Sequence, residues 1–169
     1  DALRDDIEAG TPIVGLEPSC ISVFRDELLR FFPHDPLAQK LSRQAWFLTE
    51  FLVKTGSMPP MRLEGRAIVH PHCHERAALC LEDDVTVMKQ TGLDVTVLDS
   101  GCCGMAGAFG FETSHFDVSM AVGERVLLPA VRSAAPETYI VTNGFSCREQ
   151  IAQTTGRRVW HMAEILALG

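Results

Sequence analysis

The chain has 169 residues, enough for one domain with a sizeable core. An apolar share of 46% and a charged share of 22% are those of an ordinary globular protein, and a net charge of −7 argues against nucleic acid, which needs clustered Lys and Arg. No apolar run approaches the roughly 18 residues of a membrane span, and no secretory signal is read in the sequence.

The chain opens as the end of a helix closed by Gly10, so it is expected to be a fragment of a longer protein. Residues 11–16 read as a short buried strand and 17–20 as a turn. Residues 21–32 have helical spacing, with Val23, Phe24, Leu28, Phe31 and Phe32 on one face. Pro33 and Pro36 break the chain. Residues 37–55 form a second expected helix with Leu41, Ala45, Leu48, Phe51 and Leu52 as its stripe, and 57–60 a linker.

A sharper unit follows. Residues 66–70 are an expected strand, 71–74 a turn and 75–91 a helix closed by Gly92. Residues 94–98 are a strand that leads into the glycine-rich stretch 98–110. Residues 112–133 read as a long helix with Phe116, Val118, Met120, Val126, Leu127 and Val131 as apolar positions, kinked near Pro129. Strand 138–142, turn 143–147, helix 148–155, strand 158–161 and helix 162–168 complete the chain.

Strands alternating with helices through short turns predict an α/β fold: a mostly parallel sheet of about five short strands with flanking helices. Ligands in such sheets bind beyond the carboxyl ends of the strands. Of the six cysteines, Cys20, Cys73, Cys102, Cys103 and Cys147 all fall just after an expected strand. A parallel sheet therefore delivers five thiols to one edge. Cys80 lies inside a helix and reads as a small core residue.

The sequence also repeats. Ile13-Val14 and Ser19-Cys20 recur at the same separation as Ile140-Val141 and Ser146-Cys147. This predicts duplicated strand-turn-helix units: residues 1–62 as the tail of a first unit with connecting helices, and 63–169 as a complete second unit.

Burying several unpaired thiolates is prohibitively costly, and a metal removes that cost. Cys20, Cys73 and Cys147 precede or begin helices, which is expected to lower their pKa. Four cysteines, Cys73, Cys102, Cys103 and Cys147, suit either a [4Fe–4S] cluster or a Cys₄ zinc ion. The adjacent Cys102 and Cys103 suit a cluster better than one tetrahedral ion. A buried apolar pair, a vicinal disulfide or a direct thiol redox site are the other readings. His70, His72 and His74 bracket Cys73 and can ligate a metal, donate to cluster sulfur, or bond backbone within the turn. Arg148, beside Cys147, can steady anionic charge. Met105 and Phe109 are expected to close the site, and the glycines to make room for it.

These motifs resemble the cysteine-rich domain whose signature is a lone Cys, then Cys-Cys-Gly, then Cys-x-x-Cys. Cys73-His74, Cys102-Cys103-Gly104 and Ser146-Cys147 match its three elements. That domain occurs in the B-subunit of heterodisulfide reductase, the glycolate oxidase iron–sulfur subunit, the C-subunit of anaerobic glycerol-3-phosphate dehydrogenase and lactate-utilisation proteins. The fuller runs look most like the C-terminal part of FAD-linked oxidases similar to D-lactate or D-2-hydroxyacid dehydrogenases. The resemblance implies a [4Fe–4S] electron-transfer domain, with a structural zinc module or a thiol site at Cys102-Cys103 as alternatives. Cys73, Cys102, Cys103, Cys147 and Cys20 would hold the metal, and His72, His74, Gly104 and Arg148 would surround it. FAD and ferredoxin-like domains would lie elsewhere in the same parent protein. Electrons would pass to a quinone or another acceptor, in a cytoplasmic protein held near a membrane only through that acceptor. The fragment itself would have no dehydrogenase activity. Two positions depart from the pattern: Gly144 and Glu17 stand where Cys-x-x-Cys would place its first cysteine.

Overall fold

The computed structural model describes residues 2–79 and 81–169. The expectation that Cys80 fills core therefore lies outside the described residues. The architecture is α/β, with every strand pairing parallel, but in two sheets. The smaller pairs β1 (Ile13–Gly15) with β2 (Ala45–Phe47). The larger contains β3 (Arg66–Val69), β4 (Asp94–Val97), β5 (Tyr139–Val141) and β6 (Val159–Trp160) in the order β4-β3-β5-β6. The chain leaves β3 toward β4 on one side and returns to β5 on the other. The carboxyl ends of β3 and β5 thus form a switch point, where connections diverge and a crevice opens.

The helices are shorter than their apolar periodicity predicts. α1 (Arg4–Ala9) precedes β1, and α2 (Pro18–Arg25), α3 (Glu27–Phe31) and α4 (Pro36–Gln44) connect β1 to β2. α2 begins three residues before the expected start, with Pro18 in its first turn, where no N–H is needed. The expected helix 37–55 is split: β2 interrupts it before α5 (Leu48–Thr55). The helix after β3 is likewise two pieces, α6 (Cys73–Ala78) and α7 (Leu81–Gln90). The expected helix 112–133 becomes two 3₁₀ turns, Gly107–Phe111 and Thr113–His115, then α8 (Phe116–Gly123) and α9 (Leu127–Ser133). Pro129 sits in the first turn of α9, so the chain breaks before it rather than kinking at it. α10 (Phe145–Thr155) and α11 (Met162–Leu166) flank β6. Phe31, Phe32, Phe116 and Val118 are exposed rather than buried as the stripes suggested.

β5 shows how the larger sheet is covered on both sides. Ile140 packs with Leu127, Leu128, Val131 and Ile151, while Val141 packs with Val87, Met88, Met162 and Ile165. Alternate residues of a strand point to opposite faces, so both layers form from three residues. Fully burying each of these aliphatic side chains contributes roughly 1.5–3 kcal/mol. Cys103 and Cys147 belong to the first layer, at its end nearest the strand carboxyl termini.

The duplication extends further than its sequence signal. Val14 pairs with Trp46, and Val141 with Trp160. Glu50 then accepts the Phe47 N–H at 3.0 Å, and Glu164 accepts the His161 N–H at 2.7 Å. Each copy is strand, helix, partner strand and carboxylate-capped helix. The second half of the repeat was hidden because β2 fell inside a helical stripe.

One interior feature carries a stability cost. Asp84 on α7 is buried beside α5 next to the Thr49 hydroxyl, and its Oδ1 has no hydrogen-bond partner among the described residues. Burial, then the nearby Glu75, Asp83 and Glu50 carboxylates, push the Asp84 pKa well above normal. The unfolded carboxyl ionises first, so stability contributed by the neutral form is lost as pH rises above the ordinary Asp range. Asp84→Asn is expected to raise stability at pH 7 by about 1–3 kcal/mol and to gain little near pH 3. Urea unfolding at the two pH values measures this, and an equal effect at both would contradict it.

Candidate metal centre

The carboxyl ends of β3, β4 and β5, together with the start of α2, line one cavity of about 580 Å³. Its wall includes Cys20, Cys73, Cys102, Cys103 and Cys147, with His72, His74, Glu17, Met105 and Phe111 among the others. All five cysteines expected at strand ends therefore reach one place. Cys20 and Cys147 sit within the first turns of α2 and α10, slightly beyond the turns that precede them.

Two groups at this end of the sheet are tight enough to hold a metal ion; His70, in the first of them, lies outside the cavity wall. A ring nitrogen of His70 and the sulfurs of Cys103 and Cys147 lie within 4.8 Å of one another, all three buried. The ligand atoms of His72, Cys73 and His74 form a second, more open set. Cys102 and Cys20 line the cavity but join neither group. The sequence reading included Cys103, Cys147, Cys73, His72 and His74; it named His70 as a possible ligand beside Cys73 but left it out of the expected set around the metal.

The first group is held rigidly. The His70 N–H donates to the Val141 carbonyl at 2.9 Å, extending the β3–β5 ladder past the strand end. Its Nδ1 lies 2.6 Å from Ser100 Oγ. The second group is shaped by α6. Glu75 accepts the His72 N–H and, at 2.7 Å, the Asn143 amide, which ties the start of α6 to the end of β5. His72 Nδ1 accepts the His74 N–H at 3.2 Å, and the two rings stack at 5.2 Å. Cys73 Sγ is 3.6 Å from His74 Nδ1. Arg76 donates to the Leu98 carbonyl and to Asp99, fixing α6 against the loop that carries Cys102.

The thiols titrate differently from the helix-start expectation. Cys73 and Cys147 have raised pKa values, not lowered ones. Burial lifts Cys73, followed by the negative charge of Cys102 and Cys103. Cys147 is held protonated first by donating to Cys103, then by burial. Cys103 accepts that bond and is the thiol pulled down, with His70 assisting against the opposing effect of burial. Neighbouring thiolates and desolvation outweigh the helix N-terminus. Burial also lowers the His72 pKa, leaving a neutral imidazole with a lone pair. Cys103 is one thiolate among thiols that burial and neighbouring charge keep protonated, beside the neutral His72 imidazole. A thiophilic cation can complete this donor set by displacing the remaining thiol protons, so the residues fit a metal group.

The surrounding residues fall into place unevenly. The Gly104 N–H donates to Cys102 Sγ at 3.3 Å, a loop amide steadying a sulfur as expected. Arg148 is absent from the cavity wall and forms an ion pair with Glu164 at 3.5 Å, in a neighbouring hollow that shares Glu17 and Phe145 with the cavity. Met105 lines the cavity. Phe109 does not; it stacks on His115 at 4.0 Å, and Phe111 takes the rim.

The two departures from Cys-x-x-Cys have structural reasons. Glu17 accepts the Phe145 N–H at 2.8 Å, so the first unit caps the helix that carries Cys147. A Cβ on Gly144 would lie 2.2 Å from His72 Cδ2. His72 is buried and bonded to the His74 backbone, so it cannot yield easily. Gly144→Cys is expected to cost roughly 1–3 kcal/mol and to leave metal uptake no higher. Thermal unfolding and metal analysis of the variant check both, and improved uptake would contradict the packing account.

The fold and these convergent thiols define a cysteine-rich α/β domain with a Cys/His constellation able to bind metal. No family model and no solved structure matches the chain. Curated relatives do. The chain is 29% identical over 161 residues to the C-subunit of anaerobic glycerol-3-phosphate dehydrogenase from Escherichia coli (strain K12), covering 94% of this chain and 40% of that protein. It is 25% identical over 162 residues to the D-2-hydroxyglutarate dehydrogenase of Pseudomonas putida, covering 94% and 15%. It is 25% identical over 173 residues to the lactate utilization protein A of Anoxybacillus flavithermus, covering 91% and 69%. The chain is thus related to an anaerobic glycerol-3-phosphate dehydrogenase subunit, a D-2-hydroxyglutarate dehydrogenase and a lactate utilization protein, the kinds of protein that Cys73, Cys102-Cys103-Gly104 and Cys147 led us to expect. It spans about 40% of the glycerol-3-phosphate dehydrogenase relative and about 15% of the D-2-hydroxyglutarate dehydrogenase. No described helix is long and apolar enough to cross a membrane.

Proposed function

We propose that this chain is an iron–sulfur electron-transfer domain of a FAD-linked 2-hydroxyacid oxidoreductase. The observation that carries this is the convergence of five thiols on one cavity of about 580 Å³ at the switch point of a parallel sheet. The names of the relatives, two of them dehydrogenases, support a redox setting. Cys73, Cys102, Cys103 and Cys147 would hold a [4Fe–4S] cluster, with Cys20 at the rim. Such a cluster supplies one-electron storage at a potential set by its ligands, charge and hydrogen bonds. The chain's own residues would do the rest. The Gly104 amide polarises Cys102 sulfur, His72 and His74 hold Cys73, and Met105 limits water. Exposed Phe111 and Phe145 on the cavity wall would give an apolar seat to the electron donor or acceptor.

In this reading residues 1–62 are the tail of a first unit and 63–169 a complete second one, with flavin and ferredoxin-like segments elsewhere in the parent. A quinone or other acceptor would receive the electrons. The parent protein carrying Cys147→Ser is expected to keep substrate-driven flavin reduction and to lose acceptor reduction at least tenfold. Unchanged acceptor reduction would overturn the reading. A structural zinc is favoured by one observation: the His70, Cys103 and Cys147 donors lie within 4.8 Å of one another, near enough for small side-chain rotations to bring them onto one tetrahedral ion. Metal analysis after anaerobic purification separates iron from zinc.

A further inference from the structure

We infer that His70 is itself a ligand of this centre, binding through Nε2 beside Cys103 and Cys147, so that imidazole and thiolate donors share the metal. The inference rests on the proposed function only for which metal is resident: a single ion takes the three donors in one tetrahedron, and a cluster takes one protein donor per iron. The donor set stands on geometry. His70 is 1% exposed, and its Nε2 finds no oxygen or nitrogen partner among the described residues; the only group that answers it is the Cys103 sulfur. A buried imidazole nitrogen left unpaired is costly and rare in folded proteins. Nδ1 is taken by Ser100 Oγ at 2.6 Å, so Nε2 is the nitrogen left to bind. The ligand tautomer is the one in which Nδ1–H donates to that hydroxyl, the usual means of orienting a metal-bound histidine.

The two sulfurs beside it are the most buried thiols of the cavity wall, at 3% and 2% exposure. Tetrahedral bonds of about 2.3 Å to sulfur and about 2.0 Å to nitrogen place such donors roughly 3.5–3.8 Å apart. The three donors already lie within 4.8 Å, so small rotations close the site. All three sit where β3, β4 and β5 end, and the His70 backbone is bonded to β5. The site is therefore held by the sheet rather than by a loose loop. With one cysteine rather than two in its last motif, the chain gains its extra donor from β3, not from position 144, where His72 fills the space.

Anaerobic titration of the metal-free chain with Co(II) tests the donor set without iron. Wild type is expected to give tetrahedral thiolate–cobalt bands. His70→Ala should weaken binding at least tenfold, and Ser100→Ala by less. His70→Cys should restore affinity. A readout on wild type guards against misfolded variants: with ¹⁵N-histidine and ¹¹³Cd(II), a nitrogen–cadmium coupling should appear, survive His74→Ala and vanish in His70→Cys. Cobalt affinity unchanged within twofold in folded His70→Ala, or no coupling to His70 in wild type, overturns the inference. If iron never incorporates but the coupling is present, His70 is a ligand and the iron–sulfur reading fails. If the cluster assembles with neither His70 effect, the reading survives and the inference falls.

Discussion

Cys103→Ser is expected to abolish metal incorporation, taking iron from about four atoms per chain to below about one. Cys103 belongs to the buried donor group, accepts the Cys147 hydrogen bond and carries the lowered pKa of that pair. It is therefore the sulfur already in ligand form. Serine keeps the volume and a hydrogen-bonding oxygen but supplies no thiolate near neutral pH. The fold should survive while the centre is lost. Cys20→Ser is the contrasting case: Cys20 is exposed at the rim and belongs to neither tight group. Its replacement is expected to leave iron content within about a tenth of wild type, well short of the quarter that one missing iron of a four-iron cluster would remove. Iron analysis of reconstituted variants with matched circular dichroism spectra checks both. Equal iron in Cys103→Ser and wild type would remove Cys103 from the ligand set.

Gly104→Ala is expected to destabilise the fold by roughly 3–5 kcal/mol, enough to threaten folding at 37 °C. Gly104 has φ of 100° and a Cβ there would lie 2.1 Å from the Ser119 carbonyl oxygen. Both faults act on backbone, which cannot rotate aside as a side chain can. The same residue donates its N–H to Cys102 Sγ, so any shift also moves a sulfur. Chemical denaturation of the metal-free chain isolates the fold from the centre. A loss under about 1 kcal/mol would mean that the loop gives way easily.

The loop glycines differ by position. Glycines after Cys103 were expected to make room for a ligand. At Gly104 the close neighbour is the α8 backbone, and at Gly107 a Cβ would meet nothing within 4 Å. The strands were legible because apolar runs between turn residues have few alternatives, and the parallel pairing followed from their alternation with helices. Convergence of the cysteines then followed from topology. β2 was not legible, because Ala45, Trp46 and Phe47 are too few to show alternation and fit the stripe of the helix around them. The spacing shared by Trp46 and Glu50 with Trp160 and Glu164 was the available signal. The thiol pKa values escaped a local reading, since residues far apart in sequence decide them. His70 was legible as one of three possible ligands but could not be ranked above His72 and His74: what marks it is Ser100, thirty residues away, taking one nitrogen and leaving the other toward the thiols.

Iron and acid-labile sulfide, measured together on the chain purified and reconstituted without oxygen, test the central claim most directly. The account predicts about four of each per chain, visible absorbance, and a low-temperature paramagnetic signal on reduction with dithionite. A colourless protein that holds one zinc ion and no sulfide after the same treatment would contradict it.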